Sequence, residues 1–152
     1  MTTYALAVID TNTEIHYMST PGAIFDEEGP WKQNNDFTVV HIHSEVPDML
    51  GFQQTQYYKG GEWKSREWKG EFYDWNGTSE EWEFNSSRFW EQIRGERNEK
   101  LLRCDWTQLP DTALSDSKKA EWAEYRQGLR GVPSTNKNAT KPDDIIWPSQ
   151  PS

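Results

Sequence analysis

Twenty-one aromatic rings, from nine Trp, six Tyr and six Phe, sit in a 152-residue chain of which only 34% is hydrophobic. This imbalance constrains the fold more than any other feature of the sequence. A mean hydropathy of -1.01 by itself points toward disorder. The rings argue the other way, because each buries about 150–250 Å² when packed. The core should therefore be small and built of rings, and the chain should need a partner to cover the rings left over. A chain of this length makes one domain or two very small ones.

Charge narrows the function. The formal net charge is -9, which repels phosphate and disfavours a nucleic-acid partner. It suits solubility and basic protein partners. The single cysteine, Cys104, excludes an intramolecular disulfide and any cysteine-based zinc site. It reads as a small buried apolar residue on a helix. The start, MTTYALAVID, has no basic segment. Its apolar stretch Tyr4 to Ile9 is too short for a signal peptide or a membrane span, so the cytoplasm of the producing cell is expected.

Periodicity divides the chain at about residue 86. Residues 1–86 read as a β-rich aromatic domain and residues 87–152 as a helical module, giving an α+β class. Tyr4 to Ile9 and Glu14 to Met18 form a hairpin around Asp10, Thr11 and Asn12. Pro21, Gly22, Gly29 and Pro30 mark a loop. Phe37 to His43 is the strongest strand, β-branched and alternating. Two aromatic hairpins follow: Gln54 to Lys64 about Gly60-Gly61, and Glu71 to Phe84 about Asn76-Gly77, for which a type I′ turn is expected. A helix over 87–104 takes Ser86 or Ser87 as its cap and puts Phe89, Ile93, Leu101 and Cys104 on one face. A second helix over 116–130 starts at Ser115, shows the stripe Trp122, Tyr125, Leu129, and is expected to stop at Gly131 and Pro133. Residues 134–144 read as polar linker or loop before Ile145-Ile146-Trp147-Pro148.

The join between the helices reads Cys104-Asp105-Trp106-Thr107-Gln108-Leu109-Pro110-Asp111. Asp105 and Thr107 are expected to bond backbone donors, Trp106 and Leu109 to pack down between the helices, and Pro110 to stop helical continuation. Such a buried ring makes Trp106→Ala cost about 3–5 kcal/mol.

At these residues the chain resembles phage tail-assembly chaperone proteins and the tail-fibre assembly proteins like them. The resemblance runs from an Arg-bearing helix (Arg94, Arg97, Leu101, Leu102) through the DWTQLPD turn to Trp122, Tyr125-Arg126-Gln127, Leu129-Arg130, and a terminal Trp147-Pro148 with Pro151. It covers residues 91–151. It implies a non-enzymatic role by protein–protein binding in tail or tail-fibre assembly, inside the infected host. The partners implied are phage tail, baseplate or tail-fibre proteins, with no nucleic acid and no membrane. Retention in the virion and homo-oligomerisation are left open.

His41 and His43 share a strand face, and His16 could join them in a metal site if its strand lay alongside. Ordinary strand histidines are favoured, and no metal or cofactor is expected. Glu27-Glu28, Glu80-Glu81 and Asp143-Asp144 are adjacent carboxylates of the kind that solvate or splay, and no catalytic residue is assigned. Tyr57, Tyr58, Tyr73, Trp63, Trp68, Trp75 and Trp82 form either packed cross-strand pairs or an interface, or else a sugar-stacking surface for host attachment. Packing or a protein interface is favoured, with Tyr57, Tyr58, Trp63, Trp68, Trp75 and Trp82 as the interface candidates. Arg126 is expected to brace the two helices through Asp105, Asp111 or Glu124.

Overall fold

A computed structural model describes residues 5–19 and 34–152. Tyr4, the loop residues Pro21, Gly22, Gly29 and Pro30, and the Glu27-Glu28 pair lie outside the described residues. The fold is α+β, with antiparallel strand pairs followed by two helices that contact each other. The chain divides into two compact units, Met1–Glu83 and Phe84–Ser152.

The first unit is built on a three-stranded antiparallel sheet in the order β2-β1-β3. The strands are β1 (Ala5–Ile9), β2 (Ile15–Met18) and β3 (Thr38–Ile42). The central strand is apolar throughout and all five of its residues are buried, as expected for a strand covered on both faces. Register is set by Ala7 opposite Met18 and Ala5 opposite Ile42, with an irregularity between Val8 and Ile9. The Asp10 carboxylate shapes the β1–β2 turn by accepting from Asn12 N and Glu14 N at 2.9 and 3.0 Å. Because β1 lies between β2 and β3, His16 does not lie alongside the strand of His41 and His43, whose rings stack at 6.0 Å. Among the described residues no group of three His, Cys, Asp or Glu side chains could hold a metal.

A short helix, α1 (Met49–Thr55), occupies the stretch where the expected strand begins at Gln54. Asp48 caps it, its carboxylate accepting from Gly51 N at 2.9 Å. The strand then starts two residues later. The hairpin of β4 (Gln56–Lys59) and β5 (Glu62–Ser65) pairs Tyr58 with Trp63 and Lys59 with Glu62. Gly60 and Gly61 have φ of 65° and 86°, the two positive values a type I′ loop requires.

The next hairpin departs from the expected turn. Strands β6 (Tyr73–Asn76) and β7 (Glu81–Phe84) are joined by four residues rather than two. Gly77 is not at positive φ; Glu80 is, at 58°. The Asn76 side chain accepts from Thr78 N and Ser79 N at 2.9 and 3.1 Å, and this local bonding competes with the tight turn. Gly77 serves close approach instead. Its N–H donates to Asn12 Oδ1 at 2.7 Å, and a Cβ there would run into the Asn12 carbonyl.

The second unit holds α2 (Ser86–Arg103) and α3 (Asp116–Thr135). Asn85, one residue before the expected cap, accepts from Arg88 N at 2.9 Å and starts α2. Ser115 caps α3 through Lys118 N at 3.2 Å. Gly131 and Pro133 do not stop α3, which runs to Thr135. The reason is the apolar stripe: Val132 continues Trp122, Tyr125 and Leu129 onto the same face and is buried. Burial of that extra turn outweighs the hydrogen bond that Pro133 forfeits. The expected linker is also ordered. The Asn136 side chain accepts from Ile146 N at 2.8 Å and donates to Val132 O at 2.9 Å, and Ala139 and Ile145 are buried.

Candidate functional site

The DWTQLPD segment bridges α2 and α3 as one turn of 3₁₀ helix, Asp105–Gln108. Side chains three residues apart share a face in this geometry. Cys104 and Thr107 therefore point inward together, and Thr107 is fully buried, its hydroxyl donating to Cys104 O at 2.6 Å. Trp106 and Leu109, offset from that pair, point outward together at 50% and 53% exposure. This corrects the expectation that Trp106 and Leu109 plug the space between the helices. Trp106 rests one side on Trp122, with ring centroids 6.2 Å apart, and offers the rest to solvent. Leu102, near the end of α2, is 71% exposed. Leu109 has an extended backbone, as a residue before proline must, and Pro110 and Asp111 are exposed beyond it.

The turn is held from behind. Arg126 on α3 donates to Leu101 O and to the Asp105 carboxylate, both at 2.8 Å, and to Cys104 Sγ at 3.2 Å. One guanidinium thus satisfies a carbonyl at the end of α2 and fixes the first residue of the turn. Asp105 is a partner of this cation, and among the described residues no backbone donor bonds its side chain. Gln108 donates to the Thr107 hydroxyl at 3.0 Å. Beneath lie Cys104, Trp122, Tyr125 and Leu129, with Leu101, Leu114 and Trp147 packed against them. Trp147-Pro148 closes over the helices as a terminal clasp: Trp147 packs on this cluster and Lys100 Nζ sits 5.1 Å from its ring centroid. Pro148 comes so close to Gly128 that an added Cβ would lie 3.1 Å from the proline ring. Pattern reading missed Gly128, Asn136 and the inward Thr107. Only the three-residue offset of the turn, visible once the 3₁₀ geometry is known, separates Thr107 from Trp106.

In the first unit the candidate interface aromatics mostly face inward. Tyr57 and Trp75 are buried against each other, with centroids 4.8 Å apart. Tyr58 and Trp63 pack edge to face at 5.3 Å onto the three-stranded core. Trp82 meets Trp75 at 5.4 Å and Trp68 at 5.0 Å, and of this set Trp68 alone is exposed. Glu80 is engaged on three sides, by the Tyr57 hydroxyl at 2.7 Å and by Lys59 and Lys64 at 3.3 Å each. The Tyr57 hydrogen bond, with the two lysines, holds its carboxyl at about 2. The same hydrogen bond, with burial, raises the Tyr57 hydroxyl. Asp144 accepts from Thr140 N and Lys141 N. One member of each of these two acidic pairs is therefore committed to structure.

Comparison with known proteins bears on the second unit. Residues 90–152 match the family model described as phage tail assembly chaperone protein, against the 91–151 expected from the motifs. No curated protein and no solved structure matches the chain.

Proposed function

We propose, from the match of residues 90–152 to the phage tail assembly chaperone family model, that the chain acts without catalysis by binding phage tail proteins in tail assembly, and that its docking surface is the outward face of the DWTQLPD turn. One observation carries this reading. The segment most diagnostic of the family turns its two largest apolar side chains, Trp106 and Leu109, away from the protein's own core. Trp is the residue most enriched among the few that carry binding energy at protein interfaces. Arg126 holds the turn rigid, so that little ordering is needed on association. Among the described residues no helix is long and apolar enough to cross a membrane.

The test is capture from infected cells by the full-length chain, with mass spectrometry of what is bound. The wild type should retain a phage tail protein, and a Trp106→Ala, Leu109→Ala double variant should lose it while keeping its helical circular dichroism. Equal retention of that tail protein by the folded variant would place docking elsewhere. Mass spectrometry of washed virions then separates a chaperone that departs from a tail, baseplate or fibre component that stays.

A further inference from the structure

Asn76-Gly77 sets an amide carbonyl beside the least hindered backbone nitrogen a chain can offer, because glycine has no Cβ. In an open chain such a pair is labile. The glycine nitrogen attacks the asparagine Cγ with its lone pair and forms an N–Cγ bond. The Cγ–Nδ2 bond breaks, and Nδ2 leaves as ammonia with the proton from the glycine nitrogen. Water then opens the resulting succinimide at either carbonyl and leaves aspartate or isoaspartate.

The fold prepares one half of this reaction and withholds the other. Asn76 Oδ1 accepts from Thr78 N at 2.9 Å and Ser79 N at 3.1 Å, so two backbone donors sit where negative charge would develop on that oxygen. Nδ2, the leaving group, donates to Glu83 Oε1 at 2.7 Å, which puts a proton carrier beside it. The nucleophile is held back. Gly77 is buried, and its N–H donates to Asn12 Oδ1 at 2.7 Å. Asn12 Nδ2 donates in turn to Trp75 O at 2.6 Å, so one side chain grips the backbone on both sides of Asn76. Lys59 Nζ holds the Gly77 carbonyl at 2.7 Å. Asn12 is itself set by the β1–β2 turn, where its N–H donates to Asp10 Oδ1 at 2.9 Å. The same residue enforces the glycine, since a Cβ at position 77 would run into the Asn12 carbonyl. Asn12 thus both requires the labile pair and protects it.

We propose that Asn76 is a modification site gated by the fold: it is stable while the Asn12 clamp is closed, and is converted to aspartate or isoaspartate when the β6–β7 hairpin parts from the β1–β2 turn. The reaction needs only water. Its products cannot restore the starting contact. A carboxylate at position 76 faces Glu83 where an amide donor stood, and isoaspartate lengthens the backbone and disturbs the register of the hairpin. The clamp is therefore a one-way latch on the first unit, and its opening commits the hairpin that packs Trp75 on Trp82 to a looser state. The latch is separate from the Trp106 surface and does not depend on it.

The test is peptide mapping of position 76 over time in the full-length chain at mildly alkaline pH, with asparagine, aspartate and isoaspartate resolved. The native chain should react slowly and the urea-unfolded chain fast. Asn12→Ala should speed the native reaction about tenfold and leave the unfolded rate unchanged. Val8→Ala weakens the core of the same unit but keeps the clamp, and should speed the reaction less. Asn76→Asp, one of the two products, should lower the melting temperature. Equal rates in the native and unfolded wild type overturn the proposal, as does an Asn12→Ala rate no faster than that of the wild type. If Val8→Ala matches Asn12→Ala, the gate is unfolding of the whole unit and the clamp is refuted. An unchanged melting temperature for Asn76→Asp refutes the one-way latch.

Discussion

The two units differ in which large rings they commit to the core and which they present. In Met1–Glu83, Tyr57 and Trp75 are buried, Tyr58 and Trp63 pack on the sheet core, and a buried arginine lies against two tryptophans. In Phe84–Ser152, Trp122, Tyr125 and Leu129 make the core, and Trp106 is held out half exposed on a braced turn. The difference follows from local geometry. Antiparallel hairpins alternate their side chains and can bury every second ring against a neighbour. A 3₁₀ turn of period three buries one residue of each triplet and must present the others.

The comparison breaks first at the buried stripe. Leu129→Ala should cost about 2–5 kcal/mol and Trp122→Ala about 3–5 kcal/mol, read as a lower denaturation midpoint with an unchanged slope. Arg126→Ala should cost about 1–3 kcal/mol, because the Leu101 carbonyl and the Asp105 carboxylate lose a shared donor. Trp106→Ala should cost only about 1 kcal/mol, since half the ring is already in water. A loss as large as that for Trp122 would show the ring to be core after all. The smallest effects come from glycine. Gly95→Ala in α2, with open space at its Cβ, should gain about 0.5–1 kcal/mol by helix propensity. Gly128→Ala should lose that gain against Pro148, and an equal gain at both sites would mean the terminal clasp is loose.

Acid sharpens the contrast from the other side. The folded-state pKa of Glu80 is depressed from 4.5 to about 2, so its stabilisation is complete above about 4.5 and is lost as pH falls toward 2. The first unit should therefore loosen across that window, read in its Trp75 and Trp82 indole resonances. Glu80→Gln should remove that part of the pH dependence.

Much of this was legible without coordinates. The apolar run of β1, the paired glycines at 60 and 61 and the i, i+3, i+7 stripe of α3 each carry their element in local residue type. The DWTQLPD and WPSQP segments carried the resemblance that the family model matches over residues 90–152. Legibility ended where a competing interaction came from elsewhere in the chain. Asn76-Gly77 suits a two-residue turn, but the Asn76 side chain bonds its own loop and Gly77 meets Asn12, 65 residues away. Gly131 and Pro133 read as stops, but Val132 between them finds a buried place.

For this protein the sequence by itself determined the class of fold, most of the elements, and the family model that residues 90–152 match. Those follow from periodicity, caps and ordered rare residues, all of them local. Only the tertiary structure decided which way each ring points. Trp106 and Thr107 are neighbours on one turn, and a rotation of about 120° per residue sends one to solvent and the other into the core. Arg66 likewise sits in no readable motif; its place between Trp75 and Trp82 exists only once two hairpins and the Glu14 turn have come together.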